Sequence, residues 1–168
     1  MPPGAATLLD ANVSFVDADR QVKSIAFLGQ RALPRDLFMK TKLVLAPMID
    51  TAFKLRRFLQ QNPVQLMYHR TRVYDSTSAP VESFRVAQLL SNKACVISLR
   101  SHNEDEELFN GVINFTNNVD RAFNEIKHDI RGCQMSSFHR YISRFAPVQL
   151  FSNSGFAAVW REIAPGKK

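Results

Sequence analysis

The side chains best suited to chemistry in this sequence are its charges. Arginine and lysine gather at Lys54, Arg56 and Arg57, at Arg70 and Arg72, at Lys93 and Arg100, at Arg121, Lys127 and Arg131, and at Arg140 and Arg144. Guanidinium forks fit phosphate oxygens, so these clusters suit a nucleic-acid backbone. No aromatic RNA-recognition signature accompanies them, so base-specific readout is not indicated. Four carboxylates, Glu104, Asp105, Glu106 and Glu107, follow Asn103. As structure, Asn103 caps a helix, Glu106 follows three residues on, and acidic residues in a first turn complement the helix dipole. As function, the four repel one another, and packing them against a neighbour's acidic groups would raise their pKa values and make assembly sensitive to pH or calcium. Helix capping takes precedence. His69, His102, His128 and His139 are scattered, with no close His/Cys or His/Glu pair of metal-site spacing. No nucleophile elbow, phosphate loop or HExxH motif occurs. No catalytic residue, metal or cofactor is therefore assigned, and a module that binds and assembles is expected rather than an enzyme.

These charges need a body to position them, and 168 residues with 45% hydrophobic and 22% charged content suffice for one globular domain with one core. The net charge of +7 favours a polyanionic partner, although basic subunits of large complexes exist that touch no nucleic acid. Cys95 and Cys133 are expected as buried free thiols in a reducing compartment, with a bridge between them as the alternative. The N-terminal residues lack the features of a signal peptide, and no run of apolar residues is long enough to span a membrane. Met1–Ala6 and Pro165–Lys168 read as tails within a single domain 1–168 whose residues 1–24 form an arm or hairpin.

Along the chain, Val13, Phe15, Val22, Ile25 and Phe27 alternate loosely around a polar turn, as in a short hairpin. Pro34 and Asp36 open a helix carrying Leu37 to Leu59, split or kinked at Pro47 and ending before Asn62-Pro63. Val64, Leu66 and Tyr68 show strand alternation that continues through Arg72-Val-Tyr74. Ser78, Pro80 and Glu82 start a helix with Val81, Phe84, Ala87 and Leu90 on its apolar face, and Cys95–Leu99 is a short extended run. Residues 104–131 place Leu108, Phe109, Val112, Ile113, Val119, Ala122, Phe123, Ile126 and Ile130 on one stripe, which predicts a long central helix closed by Gly132. A short helix Ser137–Phe145 stops before Pro147, and Val148–Trp160 adds apolar residues that must pack.

Taken in order, these pieces resemble the coat proteins of rod-shaped, tobamovirus-like plant RNA viruses. The likeness lies in Phe27-Leu28 before the Pro34-Arg-Asp-Leu37 helix start, Arg57-Phe58, Pro63-Val-Gln-Leu66, Arg72-Val-Tyr74, Ala87-Gln-Leu-Leu90, Ile130-Arg-Gly132, Ser136-Ser-Phe138, and Gly155 with Val159-Trp160. It covers residues 25–160 with gaps. The chain departs from the family by an N-terminal arm before Val22, an insertion at Phe145–Asn153, and the lack of paired arginines early in the long helix. The resemblance implies a mainly α fold, an antiparallel four-helix bundle with a small β-sheet, and a homo-oligomeric helical assembly that packages single-stranded RNA. It implies RNA contacts at Lys93, Arg100 and Arg121, with Arg72 and Arg57 beside them, and a carboxylate switch at Glu104, Asp105, Glu106 and Glu107. The location implied is the virion and host cytoplasm. Two other roles fit the same charge: a basic accessory subunit of a mitochondrial complex or ribosome, and a viral matrix or RNA-silencing-suppressor protein.

Overall fold

A computed structural model describes residues 13–29, 40–68 and 81–149. Five strands, β1 (Ser24–Phe27), β2 (Lys42–Leu45), β3 (Val64–Met67), β4 (Cys95–Leu99) and β5 (Asn114–Thr116), form one sheet in the order β2-β1-β3-β4-β5, and every pairing is parallel. Among the described residues five helices accompany them: α1 (Ala52–Gln61), α2 (Ser83–Ser91), α3 (Asn103–Leu108), α4 (Val119–Ile126) and α5 (Ile130–Gln149). The chain is thus an α/β protein, and the mainly α four-helix bundle expected from the sequence is overturned.

The reason lies in the strands. All of Val64–Met67 and four of the five residues of Cys95–Leu99 are buried, because helices cover both sheet faces and each strand must be apolar on both sides. Successive residues feed opposite cores. Ile25 and Phe27, Val64 and Leu66, and Cys95 and Ile97 join Val119, Ala122 and Phe123 of α4. Ala26, Met67 and Val96 face the other way, against Leu55, Phe58 and Leu59 of α1, Val86, Leu89 and Leu90 of α2, and Tyr141 of α5. Gln65 is fully buried at the centre of β3; its Nε2 donates to the Asn62 carbonyl at 2.6 Å, and its Oε1 has no hydrogen-bond partner.

Several local expectations change with the fold. The hairpin expected over residues 12–28 is instead an irregular lead-in to β1, anchored by buried Val13 and Val16. Lys42–Leu45 forms edge strand β2, so Pro47 separates a strand from a helix; the Thr51 hydroxyl starts that helix by accepting from the Lys54 N–H. The long helix over 104–131 is broken. Gly111 takes a left-handed φ of 72°, beside the Arg140 guanidinium with which an added Cβ would collide, and the chain turns there into β5. Asn118 then caps α4 by accepting from the Arg121 N–H at 2.9 Å. Gly132 closes no helix: it lies in the first turn of α5, its N–H donating to Asp129. The same helix continues to Gln149, past the expected stop before Pro147. The tails, the Pro34 helix start, Arg70 to Tyr74, Ser78-Pro80 and Gly155 to Trp160 lie outside the described residues.

A carboxylate ties α4 to the approach of β2. Asp120 accepts from the N–H groups of Lys40 and Thr41, both at 2.7 Å. Burial raises its pKa, but these bonds outweigh burial and hold the carboxyl below its ordinary 3.8. A depressed carboxyl contributes stability that is present above the ordinary value and lost as pH falls through the folded one. Asp120→Asn, which sets an amide donor against one N–H, should cost about 1 kcal/mol at neutral pH. In urea titrations that difference from the native chain should shrink below pH 3.8; a difference independent of pH would remove the charge from the account.

Candidate functional site

The residues expected to bind RNA do not converge. Lys93 and Arg100 flank β4 at its two ends, roughly 20 Å apart at the rise of an extended chain. Lys93 is held inward: its Nζ donates to the Val13 carbonyl at 2.7 Å and lies 5.3 Å and 5.6 Å from the ring centroids of Phe15 and Phe138. It also occupies a left-handed φ of 59° at the turn from α2 into β4, so it serves the fold. Arg100 pairs with Glu106 at 2.6 Å and Arg121 with Glu125 at 3.0 Å. Arg57 is exposed on α1, and Arg72 lies outside the described residues.

The acidic run is likewise divided between duties. It forms α3, with His102 rather than Asn103 at the N-cap and no side-chain cap bond there. Asp105 accepts from the Val81 N–H at 2.8 Å, and Glu106 accepts from the Ser101 N–H at 2.7 Å while holding Arg100. These two carboxylates fasten the start of α3 to its surroundings, whereas Glu104 and Glu107 are exposed. A cavity of about 590 Å³ collects Arg100, Glu106, Glu107 and Glu125 beside Asn114 and Thr116. With its arginine already paired, that cavity is acidic and ill suited to phosphate.

A second crevice lies where the topology opens one. From β1 the chain proceeds to β2 on one side, whereas from β3 it proceeds to β4 on the other, so the carboxyl ends of β1 and β3 part at a switch point, where open α/β sheets bind ligands. At that point Leu28, just after β1, faces Val81, Glu82, Phe84, Arg85 and Gln88 across a space of about 460 Å³. Helix α2 positions the polar groups. Phe84 and Gln88 lie one turn apart, as do Arg85 and Gln88, so all three side chains meet the same space. Arg85 pairs with Glu82 at 3.0 Å and places its guanidinium 5.5 Å from the centroid of the Phe27 ring, which brings α2 against the end of β1.

Two features of this crevice are open to a ligand. The N-cap position of α2, Glu82, makes no side-chain cap bond, so the first-turn N–H groups receive none from it and the positive end of the helix dipole stands at the crevice. Gln88 is only 9% exposed, and its carboxamide, bonded to no described residue, opens to the crevice rather than being sealed in the core as Gln65 Oε1 is. Neither Arg85 nor Gln88 stands out in the sequence, since an arginine and a glutamine within a helix are ordinarily solvated. No His/Cys/Asp/Glu group able to hold a metal occurs among the described residues, and none of their helices is long and apolar enough to cross a membrane. Comparison with protein-family models, curated proteins and solved structures finds no match for the chain.

Proposed function

We propose that this domain binds a small anionic ligand in the crevice between the carboxyl ends of β1 and β3. One observation carries the proposal: the largely buried Gln88 side chain lines that crevice, with its carboxamide open to it and bonded to no described residue. A ligand that hydrogen-bonds to this carboxamide takes the place of water there, for a net gain of about 0.5–1.5 kcal/mol. The anion belongs at the start of α2, where the helix dipole and Arg85 supply positive charge once Arg85 exchanges Glu82 for the ligand. A net charge of +7 draws the same class of ligand toward the protein. Calorimetric titration with inorganic pyrophosphate at low salt should show binding by the native chain and about tenfold weaker binding by Arg85→Gln, which is 1.4 kcal/mol. No binding, or equal binding by the two proteins, would remove the proposal.

A second reading, packaging of single-stranded RNA by a helical assembly of many copies, is favoured by Arg56 and Arg57, which are exposed on α1 with no carboxylate paired to them among the described residues. The four-helix bundle implied by the coat-protein resemblance no longer supports it. Negative-stain electron microscopy at mildly acidic and neutral pH, with and without RNA, separates the two readings. Rods or stacked discs would favour packaging; uniform small particles would eliminate it.

A further inference from the structure

The crevice offers three unlike surfaces, and together they select a ligand class within the reading proposed above, on which this inference rests. Leu28 and Val81 are apolar, and Phe84, which is 49% exposed, adds an aromatic ring. The Gln88 carboxamide sets a hydrogen-bond acceptor beside donors. The start of α2 and Arg85 supply the positive end. An inorganic anion would use only the last of these, leaving Gln88 unpaired and the Phe84 ring in water.

A planar heteroaromatic ring joined to a phosphate uses all three. Every nucleobase has a π-face that can stack on an aromatic side chain, and its polar edge pairs with a carboxamide. Glu82 and Gln88 are separated by roughly 9 Å along the helix at 1.5 Å per residue, a span comparable with that between phosphate and base edge in a mononucleotide. The volume of about 460 Å³ is in the range of small-ligand sites. We infer that the crevice takes a nucleoside phosphate, with the phosphate at the start of α2 and Arg85, the base against Phe84, and the base edge on Gln88.

Titration of the full chain with the common ribonucleoside 5′-monophosphates, with ribose 5-phosphate and with inorganic pyrophosphate tests the assignment. At least one nucleoside monophosphate should bind about tenfold or more tightly than ribose 5-phosphate, the discrimination that one stacked base provides. Gln88→Leu and Phe84→Ala should each reduce that preference severalfold while leaving ribose 5-phosphate binding in place. Phe84→Ala changes an exposed side chain, so its result does not depend on repacking the core. If ribose 5-phosphate and pyrophosphate bind as tightly as every nucleotide, the anion site stands and the nucleoside assignment falls. If none of the probes binds, both fall.

Discussion

Leu66→Ala is expected to lower the free energy of unfolding by about 3–4 kcal/mol, within the range for deleting a large buried side chain that leaves a cavity. Leu66 is fully buried in β3, with Phe27 of β1 and Ile97 of β4 beside it in register. Its side chain belongs to the core that α4 covers, so neither neighbouring strand can move in without losing contacts of its own. Leu45→Ala provides the comparison. It lies at the end of edge strand β2 and is 39% exposed, so its loss should be about 1 kcal/mol or less. Urea denaturation measures both, with an unchanged slope showing that the two-state reference holds. Equal losses would contradict the strand order, because a peripheral β3 would give Leu66 no special weight.

How far the sequence reveals this sheet depends on the range of the contacts. Val64 to Met67 and Cys95 to Leu99 are legible as short extended runs because each is bounded by turn or helix signals. Their partnership is not legible. Parallel strands have no hairpin turn between them, and Leu66 meets Phe27 and Ile97 only after long excursions of chain. Residues 104–131 mislead for a different reason. Phe109, Val112 and Ile113 fit a helical stripe and are equally able to fill the core beneath a turn into an edge strand. The deciding residues are Gly111, with its positive φ, and Asn118, with its cap bond, which interrupt the stripe that the apolar residues suggest.

The crevice is obscured by a smaller ambiguity in phase. An apolar face of Val81, Phe84, Ala87 and Leu90 is expected for α2; the structure buries Val81 and Leu90 as expected but adds Val86 and Leu89 and turns Phe84 outward. Both sets have helical spacing, and tertiary packing against Ala26, Met67 and Val96 chooses between them. That rotation of the helix carries Phe84 to the crevice and buries Gln88. The charged clusters, by contrast, are plain in sequence, but charge alone does not show that Arg100 and Arg121 meet carboxylates or that Lys93 turns inward. The two ion pairs are local, four and six residues apart, and depend on the turns of α4 and α3, whereas a lysine over aromatic rings depends on side chains far apart in the chain.

Breaking the Cys95–Cys133 bridge should have an effect as large as the loss of Leu66. The disulfide joins β4 to α5 across the core, with the two Cα atoms 5.7 Å apart, and the expectation of buried free thiols gives way to the alternative of a bridge. It spans 38 residues, for which the entropy of an open chain predicts about 4 kcal/mol. For a domain of this size that is a fall in Tm of roughly 8–16 °C. Cys133→Ala is the informative variant: it removes the bridge at the partly exposed end and leaves the fully buried Cys95 as a small apolar side chain. The reduced native chain and Cys133→Ala should melt together, both well below the oxidised protein. If they separate, local packing at Cys133 carries part of the stability; if reduction changes nothing, the bridge contributes nothing to it. Thiol titration under denaturing conditions decides first whether the bridge is present. Two free thiols in freshly isolated protein would group the chain with reduced intracellular proteins, whereas none would require an oxidising setting and weigh against a cytoplasmic role.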